Sequence, residues 1–495
     1  MSGNTIFFPL IISWNLKESF NSMINSDLIK DAETIIKEVK GLQEAGLICM
    51  DGQFYPVVHY PGITMYPPIS EEELFSGYSS PADNLFTVYA HIPFCMKYCA
   101  FCHYPVKIGD LFQEKNYYLD MLEKEMDIYM KRLGLENIKT RSVLVGGGTP
   151  TYLTPAQLER FLGFFTSKLD LSSCVQFSYD VDPPTLLGPQ GKERLKIMRS
   201  YGVGRLTIGV QSFDDEILKE MNRPHNAEDA FRAIQLARES GFKINIEFIY
   251  GYPRQTLETW IETIEKAVYL GVEEIQLYRL KIIPYGDHTG TITKVFAKES
   301  ADFVPIEKAL TMKQAAYLIL SRNGYYENLR RVFTRDPKDF SHYADDQCCK
   351  LFDQIGLGLT GFSSFRDRFG LNTQDFKKYY SLINEGKLPV DRGLVRNRDE
   401  QLRWALILPL KNKQVYKRYY QKLTGASLND IFRKKIEKLK DFNLLYEDDK
   451  MLKLTLLGSF FADEVCHQFY HPDYMPFPRT AYAHGKLYPY DDWEI

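Results

Sequence analysis

The stretch 85–102, "LFTVYAHIPFCMKYCAFC", decides the fold, because a β-rich run leads directly into three closely spaced cysteines. Residues 85–92 combine β-branched, aromatic and apolar residues, which is typical of a strand. Cys95, Cys99 and Cys102 follow with gaps of three and then two residues. They stand just beyond the carboxyl end of a strand, where parallel α/β folds place their active sites.

The same order of strand and helix repeats along the chain. Further β-rich runs cover residues 141–148, 176–181, 205–211, 243–251 and 273–283, and amphipathic helical patterns cover 114–133, 154–169, 226–241 and 256–271. Asn226 and Thr256 are predicted N-caps, while Gly241 and Gly271 stand at predicted helix ends. Alternating strands and helices predict an α/β fold with parallel βαβ units. Six strands are too few for a closed barrel, so we expect a partial, open (β/α)6 TIM-like barrel.

The remaining segments predict one further unit on each side of this barrel. Residues 1–84 contain helical signals and the segment "AETIIKEVKGLQEAGLICMDGQFYPVVHYP", which suggests a small winged-helix-like unit of helix and hairpin. The barrel is expected over residues 85–370. Residues 371–495 predict a C-terminal helical domain with a short hairpin around Asp448 and Asp449.

Composition excludes several functional classes. The 495 residues carry 61 basic and 64 acidic side chains, so the net charge of -3 favours neither a nucleic acid nor an anionic membrane as partner. No apolar stretch approaches the roughly 20 residues that cross a bilayer, and the N-terminus lacks signal-peptide features. We therefore expect a cytoplasmic protein. The cysteines outside the cluster are expected to be buried thiols rather than ligands: Cys49, Cys174, Cys348, Cys349 and Cys466.

The three clustered cysteines favour iron–sulfur chemistry over zinc. A structural zinc site normally uses four ligands, and only His91 and His103 are near enough in sequence to complete one. A [4Fe–4S] cluster also usually takes four thiolates. Three thiolates would leave one iron open to a small molecule.

Several ordered motifs carry a resemblance to a known family. The C-x3-C-x2-C spacing, with Phe101 before the last cysteine, resembles the radical S-adenosylmethionine (SAM) signature. "YAHIPFC", "VGGGTPTYL", "DVDP", "GVQSF", "MNRPH", "IYGYP" and "IGLGLTGFS" stand in the order of the oxygen-independent coproporphyrinogen III oxidase (HemN-like) family, over about residues 86–365. The tail "LTLLGSFFADEV" is similar to that family's C-terminal domain. The resemblance implies a [4Fe–4S] cluster, two SAM molecules, and an electron donor such as flavodoxin or ferredoxin.

The resemblance also implies roles for individual residues. Cys95, Cys99 and Cys102 would ligate the cluster. Asp180 stands at a family glutamate position, and Arg223 would meet a SAM carboxylate. The complete set implied to bind the cofactor is Tyr89, Phe101, Gly146, Gly147, Gly148, Thr149, Asp180, Gln211, Arg223, Glu247, Lys281 and Phe362.

Departures from the oxidase pattern favour a different branch. Glu247 replaces an aspartate, Lys281 a small residue and Phe362 an isoleucine, and "HYPV" (103–106) lacks the further cysteine of true oxidases. We expect a methyltransferase or cyclopropane-forming enzyme that transfers a one-carbon unit, methyl or methylene, to an organic substrate. Coproporphyrinogen oxidation, anaerobic haem degradation by a related methyltransferase and a non-catalytic haem or cluster carrier stay open as alternatives.

The sequence leaves two roles open, that of His103 and Tyr104 and that of the N-terminal unit. His103 and Tyr104 are candidate proton or hydrogen donors beside the second cofactor, or residues that pack beside the cluster. The N-terminal unit resembles the leader-binding modules of peptide-modifying radical enzymes, which would make the substrate a ribosomal peptide. Alternatively, it covers the open side of the barrel.

Overall fold

A computed structural model describes residues 23–81, 83–282 and 289–494. Residues 1–22 of the predicted N-terminal unit therefore lie outside the described residues. The helices are α1 Met23–Glu33, α2 Ile35–Glu44, α3 Glu71–Phe75, α4 Phe112–Leu133, α5 Pro155–Ser167, α6 Pro183–Leu187, α7 Gly191–Ser200, α8 Asp215–Glu220, α9 Ala227–Glu239, α10 Leu257–Leu270, α11 Thr291–Lys298, α12 Ile306–Arg322, α13 His342–Cys348, α14 Phe376–Asn384, α15 Arg398–Lys411, α16 Lys417–Thr424, α17 Leu428–Asp441, α18 Leu456–Phe460 and α19 Ala462–His467.

The strands follow the predicted β-rich runs closely. They are β1 Leu85–Ile92, β2 Phe94–Cys95, β3 Lys107–Ile108, β4 Ile138–Gly147, β5 Leu169–Asp170, β6 Gln176–Val181, β7 Arg205–Gln211, β8 Lys243–Tyr250, β9 Glu274–Arg279, β10 Tyr326–Leu329, β11 Val332–Thr334, β12 Gln354–Leu357, β13 Phe362–Phe365, β14 Arg368–Asn372, β15 Val390–Val395, β16 Gln414–Tyr416, β17 Leu445–Glu447 and β18 Met451–Leu454.

Six of these strands form the predicted open barrel. Strands β1, β4, β6, β7, β8 and β9 are neighbours in this order, and every pair among them is parallel. The sheet then continues on both sides. Strand β12 pairs in parallel with β1 and leads into antiparallel β13, β14 and β15, while antiparallel β11 and β10 extend the edge at β9. Residues beyond the sixth strand therefore widen the wall of the barrel.

Local capping explains why the barrel helices begin where they do. The Asn226 side chain accepts a hydrogen bond from the Asp229 N–H at 2.9 Å at the start of α9. Thr256 accepts one from Thr259 at 3.2 Å at the start of α10, which ends at Gly271 in the left-handed region (φ +61°). These side chains satisfy N–H groups that have no partner within the helix. Both predicted N-caps are confirmed.

The hairpin predicted after α2 is not formed. Within the described part of residues 45–84, the only β pairing is an isolated bridge from Pro68 to Arg392. The segment instead bonds to distant residues: the Val57 N–H donates to Asp463 at 2.7 Å, and the Lys411 ammonium donates to the Val58 carbonyl at 2.5 Å. Its backbone is satisfied by the C-terminal domain, so no partner strand is needed.

The N-terminal helix and the C-terminal helices share one hydrophobic core. Val39 and Tyr60 are fully buried in the same cluster as Trp404 and Phe469. The barrel has a separate core between its sheet and its outer helices. The hairpin predicted around Asp448 is confirmed, because β17 pairs with β18 across that turn. No helix within the described ranges is both long and apolar enough to span a bilayer.

Glu125 on α4 fastens the loop after β12 to the barrel. Its fully buried carboxylate accepts hydrogen bonds from the Gly358 N–H (2.8 Å), the Asn372 amide (2.7 Å) and the Tyr379 hydroxyl (2.7 Å). Burial is the main cause that raises the pKa of Glu125 from 4.5 to about 7. The folded protein therefore binds a proton that the unfolded chain releases between these values.

We predict that Glu125→Gln changes the pH dependence of stability. The pKa of this acid is raised on folding, so its contribution is fully present below about pH 4.5 and is lost as the pH rises towards 7. The free energy of unfolding of the wild type, relative to the variant, should fall by about 3 kcal/mol across this window. Guanidinium chloride denaturation at several pH values measures it. The amide replaces one acceptor oxygen and can therefore shift the free energy of unfolding by the same amount at every pH. A difference between wild type and variant that does not change with pH would contradict the prediction.

Candidate functional site

The interior of the barrel is lined by polar side chains. Alternate residues of a strand face the same side, and the interior set is Thr87, Tyr89 and His91 on β1, Ser178 and Asp180 on β6, Arg205 and Thr207 on β7, Asn245 and Glu247 on β8, and Glu274, Gln276 and Tyr278 on β9. Arg205 reaches across β8 to form an ion pair with Glu274 at 2.9 Å. Such a lining forms a chamber for polar chemistry rather than an apolar core.

The first cysteine is held at the mouth of this chamber by backbone pairing. The Gly148 N–H donates to the Ile92 carbonyl at 2.9 Å, and the Thr149 N–H donates to the Phe94 carbonyl at 2.8 Å. These bonds continue the pairing of β1 with β4 past the ends of both strands. The Thr149 hydroxyl donates to Cys95 Sγ at 3.6 Å. Cys95 therefore lies directly against the glycine edge.

The three glycines are needed because their neighbours leave no room for a side chain. A Cβ on Gly148 would lie 2.8 Å from Cys95 Sγ, and one on Gly147 would lie 2.9 Å from the His91 ring. A Cβ on Gly146 would lie 2.5 Å from Asp180 Oδ2 and 3.3 Å from the Tyr89 ring. The backbone of this edge therefore packs directly against Cys95, His91 and Asp180 with no side chain of its own between them.

The donor set fits an iron–sulfur cluster held by three cysteines. All three thiols are free. Among the described residues, no three His, Cys, Asp or Glu side chains are arranged to hold a single metal ion, whereas each cysteine of a [4Fe–4S] site binds a different iron. His91, a candidate zinc ligand, is instead hydrogen-bonded to the Tyr89 hydroxyl at 2.9 Å. Burial raises the pKa of Cys95 to about 12 and of Cys102 to about 11, so the metal itself must displace these protons.

Arg223 lies between the cluster loop and the chamber. Its guanidinium donates to Cys99 Sγ at 3.2 Å and to the Gly209 carbonyl at 2.6 Å, and it pairs with Asp182. Its buried Nε has no hydrogen-bond partner among the described residues. Arg223 therefore lies against the cluster loop, and the carboxylate that it meets in this structure is Asp182; its contact with SAM stays a prediction.

Asp180 and Glu247 form an acid pair deeper in the chamber. Burial and the charge of Glu247 raise the pKa of Asp180 to about 8, and burial also raises the pKa of Glu247. The Tyr278 hydroxyl donates to Glu247 at 3.0 Å. Since the two carboxyl groups repel each other when both are charged, the pair retains a proton near neutral pH.

His103 is tied between two backbone segments. The Gly290 N–H donates to its Nδ1 at 3.1 Å, so Nε2 carries the proton and donates to the Lys281 carbonyl at 3.1 Å. This arrangement favours the packing role over proton donation. The Tyr104 side chain is half exposed, with its ring 6.0 Å from His91. Burial lowers the pKa of Lys281 to about 6.

The other predicted cofactor residues lie around the same chamber at different distances. Gln211 ends β7 in the left-handed region (φ +70°), with its amide against Gly209. Phe101 packs on the apolar cluster below the cysteine loop. Phe362 lies on β13, two strands from Tyr89, and its ring stacks on Phe369 at 5.4 Å. The cofactor roles of all these residues stay predictions.

Sequence reasoning missed Asp182, Tyr278 and Arg331 and considered His91 only as a candidate zinc ligand. Asp182 pairs with Arg223, His91 abuts Gly147, Tyr278 caps Glu247, and Arg331 lies over the Tyr278 ring with 4.5 Å from its Cζ to the ring centre. The alternation of polar residues along the strands could have indicated the first three. Arg331 comes from a turn outside the parallel strands and has no such signal.

We predict that Gly148→Ala weakens cluster binding. The added methyl group would collide with Cys95 Sγ and with the Phe94 carbonyl, 2.9 Å away. Such overpacking should cost about 1–3 kcal/mol of binding free energy. Iron and sulfide content after anaerobic reconstitution measures the effect. The matched control is Gly163→Ala on α5, where the nearest atom is 3.5 Å from the new Cβ; equal iron content in both variants would contradict the prediction.

Comparisons with known proteins agree with this geometry. Residues 89–267 match the family model of the radical SAM superfamily. The chain is 27% identical to oxygen-independent coproporphyrinogen III oxidase of Helicobacter pylori, over 83% of this chain and 93% of the relative. It is also 27% identical to the heme chaperone HemW of Bacillus subtilis, over 77% and 98%. The expected closeness to the methyltransferase branch is not supported by these relatives.

A solved structure has the same fold. Coproporphyrinogen III oxidase (HemN) from Escherichia coli, described as a radical SAM enzyme, superposes with a TM-score of 0.68 at 24% identity and covers 84% of this chain and 97% of its own. Radical SAM proteins use a [4Fe–4S] cluster and SAM, and HemN uses two SAM molecules. Residues 89–267 thus match the radical SAM superfamily, and the chain is similar to HemN-like proteins over most of its length.

Proposed function

We propose that the protein is a catalytic radical SAM enzyme of the coproporphyrinogen oxidase type. The observation that carries this proposal is the position of three cysteines at the mouth of a polar chamber, directly beside the glycine edge Gly146–Gly148. In this site Cys95, Cys99 and Cys102 hold the cluster, and the glycine edge receives SAM. When bound and reduced, these groups supply a 5′-deoxyadenosyl radical that removes a hydrogen atom from the substrate.

The residues of the chain orient the reactants and control charge. Arg223 keeps a cation against Cys99, which stabilises negative charge at the cluster loop. Asp180 and Glu247 offer carboxyl oxygens to the hydroxyl and ammonium groups of SAM. Tyr104 and the chamber walls hold the substrate away from bulk water.

Oxidase-type chemistry is favoured over one-carbon transfer by the relatives. The similarity to the Helicobacter pylori oxidase covers 83% of this chain, which is far more than the superfamily match over residues 89–267. In this reaction the substrate radical loses one electron to an acceptor and releases carbon dioxide, so a propionate becomes a vinyl group. Coproporphyrinogen III is therefore the first substrate to test.

One-carbon transfer is the second candidate. Lys281, Phe362 and the segment "HYPV" in place of a further cysteine are the observations that favour it. The substrate would then be another organic molecule or a peptide. A carrier role, suggested by the similarity to HemW, is less favoured because Arg223 and the glycine edge are both in place. The flavodoxin-like or ferredoxin-like reductant and the cytoplasmic location are parts of the proposal.

The products distinguish these functions. Anaerobically reconstituted protein, reduced with dithionite and supplied with SAM, coproporphyrinogen III and an added one-electron acceptor, should form 5′-deoxyadenosine, carbon dioxide and a vinyl porphyrinogen without S-adenosylhomocysteine. Liquid chromatography with mass spectrometry measures all of these. Cys102→Ala should reduce 5′-deoxyadenosine to background, because one cluster ligand is lost.

Other outcomes would overturn the oxidase proposal in defined ways. Equal amounts of S-adenosylhomocysteine and 5′-deoxyadenosine, together with a product heavier by one carbon, would establish one-carbon transfer. Haem binding without any 5′-deoxyadenosine from a fully loaded cluster would establish a carrier.

A further inference from the structure

Two successive arginines form the turn between β10 and β11, and their side chains have different environments. Arg330 is buried, pairs with Asp463 and donates to the Val57 carbonyl at 3.3 Å. Arg331 instead lies against the barrel, with its guanidinium carbon 4.5 Å from the centre of the Tyr278 ring. Since Tyr278 belongs to the chamber, only the second arginine brings a charge to the chamber wall.

The backbone of Arg331 is held in an unfavourable conformation. Its φ is +62°, in the left-handed region, where a bulky residue is strained. The Leu277 N–H donates to the Arg331 carbonyl at 3.0 Å, and the Arg331 N–H donates to Glu327 Oε1 at 2.6 Å. The first bond holds the turn against β9 and the second holds it against β10, so the strain is maintained by the surrounding structure.

The guanidinium of Arg331 has unused hydrogen-bonding capacity. It forms no hydrogen bond and no ion pair with any residue in the described ranges, and its side chain is half buried. The other two arginines at the chamber have ion-pair partners: Arg205 pairs with Glu274, and Arg223 pairs with Asp182. Glu247 does not accept a hydrogen bond from Arg331 in the described structure: its carboxylate accepts one from the Tyr278 hydroxyl, while the face of the same ring supports the guanidinium.

This environment suits a singly charged planar anion. A guanidinium presents parallel N–H donors that match the two oxygens of a carboxylate, and stacking on a ring fixes its plane. The nearby acid pair Asp180 and Glu247 disfavours a doubly charged phosphate. The position also separates this anion from the SAM expected at the glycine edge, because β9 and β4 have three strands between them in the order β9-β8-β7-β6-β4.

We propose that Arg331 binds a carboxylate group of the substrate and anchors the substrate in the barrel. This rests on the proposed function, in which the substrate bears propionate groups. Arg331 is a binding residue in this proposal. The reacting atoms lie nearer the cluster, beside Tyr104.

The first test measures binding of coproporphyrin III and of its tetramethyl ester to reconstituted protein by porphyrin fluorescence. Arg331→Gln should weaken binding of the free acid roughly tenfold to a hundredfold, the usual range for a hydrogen bond to a charged group, and should change ester binding little. Arg331→Lys should fall between, because it keeps the charge without the planar fork. The matched control is Arg335→Gln. The Arg335 guanidinium also lies over a tyrosine, with 4.7 Å from its Cζ to the centre of the Tyr325 ring, but its side chain is exposed. The Arg335→Gln variant should bind coproporphyrin III as tightly as the wild type does.

Three results of this test would overturn the proposal. One is free-acid binding by Arg331→Gln equal to the wild type. The second is an equal loss for acid and ester, which would indicate a structural role. The third is a loss of SAM affinity, measured by equilibrium dialysis, as large as the loss for coproporphyrin, since Arg331 would then bind the SAM carboxylate.

The second test does not depend on coproporphyrin. Phenylglyoxal modifies accessible arginines, and peptide mass spectrometry follows Arg331 and Arg335 in the same sample. Glutarate, a small dicarboxylate, should slow modification of Arg331 at least about threefold while the neutral glutaramide does not, and Arg335 should be unaffected by either. If the wild type does not bind coproporphyrin but glutarate protects Arg331, the proposed function fails and the carboxylate site stands. If glutarate gives no protection, the carboxylate site itself is overturned.

Discussion

The structure depends on a close approach between two chain segments that only glycine permits. Gly148 and Thr149 donate their N–H groups to the carbonyls of Ile92 and Phe94, which extends the pairing of β1 and β4 beyond the sheet. At this distance a Cβ on Gly148 would touch Cys95 Sγ. The same bonds therefore fix the first cysteine against the glycine edge. The pairing of β1 with β4 therefore both forms part of the barrel and positions the Cys95 thiol.

Burying the charged side chains that line the barrel is unfavourable, and their pairing reduces this free-energy penalty. A buried charge without a partner is strongly unfavourable. Arg205 is paired with Glu274 at the base of the chamber, and Arg223 with Asp182 near the mouth. Between them, Asp180 and Glu247 reduce their repulsion by retaining a proton, which the raised pKa of Asp180 reflects. Positive and negative groups thus alternate along the chamber, and Arg331 is the chamber arginine that forms no ion pair with a described residue.

The sequence predicted what is encoded locally and missed what is encoded by distant contacts. The parallel strands and the caps Asn226 and Thr256 were predictable because periodicity and capping act over a few residues. The prediction of a hairpin after α2 was wrong because the Val57 N–H donates its hydrogen bond to Asp463, more than four hundred positions away, and not to a partner strand. The cysteine spacing indicated the cluster. The partner of Arg223 and the inward position of Arg331 depend on tertiary packing, which no local pattern specifies.

The part of the sheet that begins at β12 contacts β1 beside the predicted cofactor site directly. The Thr360 hydroxyl lies 3.3 Å from His91 Nδ1, and His91 in turn bonds to Tyr89 at 2.9 Å. The Tyr118 hydroxyl donates to the His91 carbonyl and accepts from Leu359, so α4 fastens both segments. Because His91 also abuts Gly147, direct contacts join the segment after β12 to the glycine edge. Strands β12–β15 therefore support the surface against which the cofactor is expected to bind.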